Sequence, residues 1–232
     1  MEFDQHFGVA HRDVLRELGH GRVELTGAVR AGELTWLRRG WYATPVAHPT
    51  VVEAVRAGGV ASCLSALQLR GVWVPPFVGV HVRGGDRARR ADPDRFCSQW
   101  GPDEPVGLSV DGIAIALRHA VRCLDIDEDR VVIFDSILNQ KLLELCDLEA
   151  ELSGAPRRIR RLLSLACSGA DAGTETKVRL RLRAKNIKLA VQQLIPGVGK
   201  VDLLIGKRLI IEVDGQQYHS SSAQFESDRA RD

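Results

Sequence analysis

The sequence lacks three features, each of which would define a class of protein. No apolar run approaches the roughly 18 to 20 residues that a helix needs to cross a bilayer. The N-terminal stretch MEFDQHFGVAHRD lacks the basic and then apolar order of a signal peptide. We therefore expect a cytoplasmic protein with no membrane partner. The 44% hydrophobic content is enough for ordinary buried cores.

A metal-binding cysteine motif is the third absence. The five cysteines lie 21 to 34 residues apart, with no C-x-x-C pair and no histidine at zinc-motif spacing. They are Cys63, Cys97, Cys123, Cys146 and Cys167. The pattern predicts reduced thiols in the core and not a zinc site.

Charge is unevenly distributed, although the net charge is only +2. Lys and Arg outnumber Asp and Glu by 12 to 8 in residues 1–90 and by 15 to 8 in residues 156–232, whereas acids lead by 14 to 5 in residues 91–155. Basic surfaces attract a phosphate backbone, because binding releases condensed counterions. DNA is the predicted partner of the two ends, although solvated helix surfaces carry similar charge.

Residues 11–45 have the order helix, tight turn, helix and hairpin. Apolar residues of HRDVLRELG recur at helical spacing, glycines mark a turn, and a second helix is predicted to begin near Arg22. The stretch LTWLRRGWYATP, with aromatic residues around a glycine, predicts a two-stranded hairpin that Pro45 ends. This is the order of a winged helix-turn-helix, predicted over residues 1–46.

In such a domain the second helix enters the major groove and the wing contacts phosphates. The residues predicted to contact DNA are Arg22, Thr26 and Arg30 on the helix and Arg38 and Arg39 on the wing. A helical hairpin whose arginines only solvate it fits the same pattern. The ending LTWLRRGWYATP resembles the winged-helix domain of AbiEi-type antitoxins, and this resemblance favours DNA binding. The segment before His11 is shorter than the first helix of that family.

Residues 47–155 are predicted to form a mixed connector or scaffold domain. The stretch 50–70 indicates two helices around a glycine break, and GLSVDGIAIA at 107–116 reads as a strand before a helical RHAVRCLD. No group of catalytic residues stands out in this region.

From residue 156 the chain becomes strongly basic, with nine Lys and Arg between Arg157 and Lys185. Within this group Arg179 and Arg183 are predicted to contact the DNA backbone. The stretch GADAGTETK predicts a helix with Thr174 as N-cap and Glu175 in the first turn. An acid is favoured there by the helix dipole alone, so capping is a sufficient role for it.

The stretch KVDLLIGKRLIIEVDGQQYH, residues 200–219, places acids within two apolar runs. If residues 206–208 form a turn, Asp202 lies directly opposite Glu212. Side chains at such positions have Cβ atoms about 4.5 to 5.5 Å apart. Two carboxylates at that distance repel each other, so a cation is expected between them.

A magnesium ion, or Mn²⁺ in its place, meets that need because it takes oxygen ligands and keeps several waters. The predicted ligands are Asp202, Glu212 and the carbonyl of Val213, with Asp214 on the same face of the strand. The alternative is an ordinary ion pair between one of these acids and Lys200 or Arg208.

Several motifs in the last third of the chain resemble the Vsr-related branch of the PD-(D/E)-x-K nuclease superfamily. They are E-x-K-x-R at Glu175–Arg179, Gln192 ahead of a strand, VDLLIGKRLIIEVDGQQYH, and the final D-R-x-R-D. The resemblance covers roughly residues 170–232 and implies a four-stranded mixed sheet flanked by helices. The fold class expected for the chain is α/β (α+β), with a restriction-endonuclease-like domain over residues 156–232.

The resemblance also implies roles for individual side chains. Asp202 and Glu212 would bind Mg²⁺, which activates a water and stabilises charge on the scissile phosphate. Glu175 would complete the site and Gln192 would orient it. The superfamily lysine is replaced here by Asp214, so the proton would be handled by His219. A lone histidine at that place also fits a surface or capping role.

Two functions agree with these patterns. The first is a DNA-binding protein with a Mg²⁺-dependent endonuclease domain that hydrolyses DNA phosphodiesters. The second is a non-catalytic AbiEi-like antitoxin or transcriptional repressor, for which a cognate toxin is a further candidate partner. Because the nuclease fold ordinarily continues beyond the final D-R-x-R-D, the nuclease domain is expected to be incomplete or degenerate.

Overall fold

The computed structural model describes residues 6–100 and 104–213, which form helices and small antiparallel sheets. The helices are α1 (Arg12–Glu17), α2 (Arg22–Arg30), α3 (Pro49–Arg56), α4 (Cys63–Leu69), α5 (Asp86–Ala91), α6 (Ile113–Cys123), α7 (Asp127–Asn139), α8 (Leu145–Glu151), α9 (Arg157–Arg161) and α10 (Gly173–Ala184). The strands are β1 (Val9–His11), β2 (Thr35–Arg38), β3 (Trp41–Ala43), β4 (Gly59–Ala61), β5 (Val82–Gly84), β6 (Leu189–Ile195), β7 (Gly199–Ile205) and β8 (Leu209–Ile211). No helix within these described ranges is long and apolar enough to cross a membrane.

The N-terminal elements form a sheet of order β1-β3-β2 with α1 and α2 packed on it. The helix α2 begins at Arg22 and the strands β2 and β3 end before Pro45, which confirms the predicted second helix and hairpin. A small apolar core joins the sheet to both helices. Its buried members are Ala10, Leu15, Leu25, Ala28 and Leu34.

The middle of the chain contributes most of the larger core, where α4 packs against α6. The residues of GIAIA begin α6 at Ile113, so the predicted strand there is wrong. Alternating apolar residues in a short run fit a buried helix face as well as a strand. The pair β4–β5 is tied to the start of α6 by Arg83, whose guanidinium donates to both carboxylate oxygens of Asp111 at 2.6 Å.

In the C-terminal third, α10 packs against α7 on one side and contacts the antiparallel sheet β6-β7-β8 on the other. Among the described residues this sheet has three antiparallel strands, whereas the resemblance implied four in a mixed sheet. The helix α10 starts at Gly173, so Thr174 lies inside its first turn and is not the N-cap. The predicted place of Glu175 in that turn is confirmed.

The start of α10 is seated on an aromatic ring. A Cβ added at Gly173 would lie 2.2 Å from Trp73 Cε3, so glycine permits this close contact. At the other end of the region, Gly206 has a φ of 61° in the turn between β7 and β8. Gly173 thus allows the start of α10 to pack against Trp73, and Gly206 allows the chain to turn between β7 and β8.

Candidate functional site

Acidic side chains and one glutamine meet where the first turn of α10 faces the sheet β6-β7-β8. Gln192 Nε2 donates to Glu175 Oε2 at 2.9 Å and to Asp202 Oδ1 at 3.2 Å. The backbone N–H of Asp171, in the loop before α10, also donates to Glu175 Oε2, at 3.1 Å. A helix and two strands therefore hold two carboxylates against a single amide.

The hairpin β7–β8 adds a third carboxylate to this group. Its register pairs Leu203 with Ile211, Leu204 with Ile210, and Ile205 with Leu209. This register confirms the pairing predicted around the turn at 206–208. Just beyond the last pair, the Asp202 N–H donates to Glu212 Oε2 at 3.4 Å, and the Val213 N–H donates to Asp202 Oδ2 at 2.9 Å.

The backbone of Gln192 is strained. Its φ is 51°, although it is a non-glycine residue within strand β6. The ladder pairs Val191 with Leu203 and Gln193 with Val201, so Gln192 occupies the position opposite Asp202. Strain of this kind persists where surrounding contacts compensate for it, and it is concentrated at functional sites. Here the distorted residue supplies the amide that bridges Glu175 and Asp202.

Negative charge is destabilised at the centre of this group. Glu175 is only 4% exposed. Burial raises its pKa above the ordinary value, and the nearby negative charge of Asp202 raises that pKa further. Hydrogen bonds from the Asp171 backbone and Gln192 oppose the shift without cancelling it. The site is thus short of positive charge.

The substitution Glu175→Gln is expected to stabilise the protein at pH 7. Because the folded-state pKa of Glu175 lies above the ordinary value of 4.5, the folded state holds this proton more tightly than the unfolded state. The wild type therefore loses stability as pH rises from 4.5 through the folded-state pKa, and the variant does not. We expect the variant to gain on the order of 1 kcal/mol at neutral pH and to lose this gain below pH 4.5.

Urea unfolding followed by circular dichroism across this pH range measures the effect. The matched control is Glu33→Gln, at an exposed glutamate after α2, which is expected to change stability much less than Glu175→Gln at pH 7. A Glu175→Gln protein less stable than the wild type at pH 7 contradicts the assignment of a destabilised charge.

The donors of this site fit a hard cation such as Mg²⁺. All are oxygens, and among the described residues no basic side chain forms an ion pair with Glu175 or Asp202. The structure pairs Lys200 with Asp171 at 2.9 Å. Within the described ranges, the one group of three or more potential ligand atoms mutually within 4.8 Å lies elsewhere. A cation bound at the acidic site would therefore be coordinated by only two of its carboxylates, and water molecules would fill the remaining coordination positions.

Many cations of the basic C-terminal segment neutralise the protein's own acids. Four of them form ion pairs with α7, at distances of 2.7 to 3.1 Å. The pairs are Arg158–Asp127, Lys177–Asp129, Arg179–Asp135 and Arg181–Glu128. Folding thus brings together the acidic middle and the basic end of the chain, which are separate segments of the sequence.

Of the two arginines predicted to contact DNA from α10, the structure leaves only Arg183 exposed. Arg179 is 0% exposed, and its guanidinium donates to Asp135 Oδ2 and to the Leu165 carbonyl at 2.7 and 2.8 Å. A side chain so enclosed cannot reach a phosphate, so the prediction for Arg179 is corrected. Its role is to join α10 to α7.

The predicted recognition helix α2 presents an open polar face. Arg22, Thr26 and Arg30 are all exposed, while Leu25 and Ala28 face the small core. The Thr26 hydroxyl donates to the carbonyl of Arg22 at 2.8 Å. Spacing of four residues puts the three side chains along one side of the helix.

The two arginines of the predicted wing have different environments. Arg39 is exposed, whereas Arg38 is half-buried. The Arg38 Nη2 donates to the Gly59 carbonyl at 3.0 Å, and its guanidinium carbon lies 5.3 Å from the ring centre of Trp41. Burial lowers the pKa of Arg38. Arg38 thus joins the hairpin to the middle of the protein, and Arg39 is left as the wing residue that could meet phosphate.

The remaining predicted catalytic residues, Asp214 and His219, lie outside the described residues. Their assignment stays a prediction from sequence.

The sequence did not reveal a cluster of metal-ligating side chains in the predicted scaffold. The Sγ atoms of Cys63, Cys97 and Cys123 and a ring nitrogen of His81 lie within 4.8 Å of one another. The expected place in the core is confirmed for Cys63, which is buried, and is wrong for Cys123, which is exposed as a residue although its thiol lies in the cluster; Cys97 is half-buried. Burial raises the pKa of the Cys63 thiol.

Motif spacing does not reveal the cluster, because its four members lie in four separate stretches of the chain. Motif spacing detects ligands on one hairpin or loop, as in C-x-x-C. Here the only sequence signal was the presence of three cysteines and two histidines within residues 63–123.

Comparison with known proteins yields no match, either to the model of a protein family or to a curated protein.

Proposed function

We propose that this chain is a DNA-binding protein with a Vsr-like, Mg²⁺-dependent endonuclease site that hydrolyses DNA phosphodiesters. The observation that carries the proposal is the Gln192 amide between Glu175 and Asp202, with Glu212 one hydrogen bond away. Strain at Gln192 and the raised pKa of Glu175 support it. Both indicate a site whose geometry is maintained at a cost in stability.

In this mechanism Asp202 and Glu212 would hold the cation, whose chemistry is to activate water and to neutralise charge on the scissile phosphate. Gln192 keeps the Asp202 carboxylate in place. Glu175, whose pKa is raised, is suited to hold a proton or a hydrogen-bonded water beside the phosphate. Proton transfer to the leaving group is assigned to His219, with Asp214 assisting the site.

DNA would be gripped by the exposed arginines and not by the whole basic segment. The polar face of α2, together with Arg39 and Arg183, remains available to phosphates. These groups lie in the N-terminal and C-terminal parts of the chain, as expected for a protein that binds DNA with one part and cleaves it with another.

The nuclease proposal is tested by incubating the full chain with single-stranded, double-stranded, mismatched and branched DNA. Nicking that requires Mg²⁺ or Mn²⁺ and stops with a chelator is the expected result. If none of these substrates is nicked and Asp202→Ala leaves DNA affinity unchanged, the nuclease proposal is abandoned.

A second candidate function is a non-catalytic DNA-binding regulator of the AbiEi-like antitoxin type. The observation that favours it is the exposed polar face of α2, where Arg22, Thr26 and Arg30 are accessible to DNA without any contribution from the acidic group. Absence of nicking combined with specific DNA binding identifies this function. A cognate toxin then becomes the partner to seek.

Both candidates predict that Arg22→Ala with Arg30→Ala weakens DNA binding. Removing two phosphate contacts is expected to lower affinity at least about tenfold near physiological salt and to reduce the slope of log affinity against log salt by about 2. Fluorescence anisotropy with a labelled duplex over a salt series measures both quantities.

The matched control removes the same charge elsewhere, with Arg56→Ala and Arg90→Ala at two exposed arginines on α3 and α5. It should change affinity much less than the α2 double variant. Equal losses in both double variants would show that only net charge matters and that α2 has no special role.

A further inference from the structure

The cysteine–histidine cluster of the middle region shares no residue with the candidate nuclease site. We propose that Cys63, His81, Cys97 and Cys123 form a structural zinc site. Three thiolates and one imidazole are a common ligand set of tetrahedral zinc, and four protein ligands leave no position for substrate. The site would hold the middle of the protein together and take no part in DNA hydrolysis.

The distances between donor atoms suit a zinc ion. His81 Nδ1 lies 3.2 Å from Cys63 Sγ and 3.4 Å from Cys97 Sγ. Bond lengths of about 2.3 Å to sulfur and 2.0 to 2.1 Å to nitrogen place neighbouring ligands of a tetrahedron about 3.6 to 3.8 Å apart. The whole group lies within 4.8 Å, so only small side-chain movements are needed for all four atoms to bind.

Strand pairing explains why the first two ligands are adjacent. The strands β4 and β5 pair Val60 with Arg83 and Ala61 with Val82, and the Ser62 N–H donates to the His81 carbonyl at 3.0 Å. Cys63 follows at the start of α4, beside His81, the residue just before β5. Strand pairing thus brings Cys63 and His81 together, and no linear motif predicts such a pair of ligands.

The other two ligands, Cys97 and Cys123, are positioned by tertiary packing. The Cys97 N–H donates to the Val82 carbonyl at 2.8 Å, which holds the segment after the 3₁₀ turn Pro93–Arg95 beside β5. Phe96 rests on Gly84, where an added Cβ would lie 2.7 Å from the ring. Cys123 is the last residue of α6, which packs against α4.

The backbone supports an organised site rather than a chance meeting of thiols. Cys63 has a φ of 52°, a left-handed conformation that is costly for a residue with a side chain. The His81 N–H donates to Ser65 Oγ at 2.9 Å, and its ring meets Phe77 edge to face at 5.1 Å. Ring orientation fixed by neighbours is typical of metal-ligating histidines.

Metal analysis of the reduced full chain tests the proposal. We expect about one zinc ion per chain after gel filtration, and in Cys97→Ser/Cys123→Ser a loss of most of this zinc. The control Cys146→Ser, at an exposed cysteine outside the cluster, should retain it. Chelation of zinc from the wild type should lower the melting temperature by at least about 5 °C.

Cobalt substitution keeps the test decisive if the double variant does not fold. Reduced wild-type protein should bind Co²⁺ with the visible absorption of a tetrahedral ion and the near-ultraviolet band of thiolate coordination, and added Zn²⁺ should abolish both. Wild-type protein that takes up neither metal overturns the proposal. So does a folded double variant that retains its full zinc content, or a disulfide found between two of the three thiols in freshly prepared protein.

Discussion

Asp202→Asn is expected to lower metal-dependent DNA nicking at least about 100-fold, a loss of roughly 3 kcal/mol of transition-state stabilisation. The substitution preserves size and leaves an oxygen to accept the Val213 N–H, which now donates to Asp202 at 2.9 Å. It removes the charge that would hold the cation beside Glu212. A steady-state nicking assay with a supercoiled plasmid and Mg²⁺ measures the loss.

A neighbouring acid provides the control for this experiment. Asp171→Asn removes a carboxylate that is exposed and paired with Lys200, and we expect it to change the rate less than about threefold. Mg²⁺ should raise the melting temperature of the wild type and of Asp171→Asn, but not of Asp202→Asn. Equal nicking by wild type and Asp202→Asn would contradict the assignment of the cation site to Asp202.

Asp135→Ala is expected to reduce the free energy of unfolding by about 3 to 5 kcal/mol, because it leaves a buried cation without its partner. Asp135 is 1% exposed and accepts hydrogen bonds from Arg179, the Thr176 hydroxyl and the Cys167 N–H, each at 2.7 Å. All three contacts are lost together. Urea unfolding followed by circular dichroism measures the change.

An exposed ion pair between the same two helices is the contact of Glu128 on α7 with Arg181 on α10, at 3.1 Å. Glu128→Ala should cost less than about 1 kcal/mol, because water screens exposed pairs. Adding Arg179→Met to Asp135→Ala should recover part of the lost stability, since no unpaired charge then remains buried. Similar losses in Asp135→Ala and Glu128→Ala would contradict this account of the α7–α10 interface.

The Asp135 contacts also bear on the candidate site, because α10 carries both Arg179 and Glu175. With the helix held against α7 by the buried pair, the carboxylate of Glu175 lies within reach of Gln192. A variant that loosens α10 should therefore lose nicking activity as well as stability. The E-x-K-x-R pattern thus contains one residue of the candidate site, Glu175, and one residue that holds α10 against α7, Arg179.

The hairpin around residues 206–208 could be predicted because its information is local. Apolar runs of similar length flank a turn, and this symmetry fixes the register of Leu203 to Ile211 and brings Asp202 near Glu212. The helix α2 and the strands β2 and β3 were predictable for the same reason. In each case the pattern and the turn lie within a short stretch of chain.

The environment of individual charges could not be predicted in this way. Arg179 and Arg183 differ by one helical turn in sequence, yet the first is enclosed against Asp135 and the second is exposed. Composition shows an acidic middle and a basic end, but it does not show that the two neutralise each other. That depends on which face of α10 packs on α7, a property of the whole fold.

By itself the sequence determined the local structure of this protein: the second helix, the two hairpins and the closeness of Asp202 to Glu212, since turns and alternation act over a few residues. Tertiary structure alone decided that Gln192 bridges Glu175 and Asp202, and that Cys63, His81, Cys97 and Cys123 converge. These groups are brought together by packing between elements far apart in the chain. Their contacts depend on how buried faces match, which no short stretch of sequence encodes.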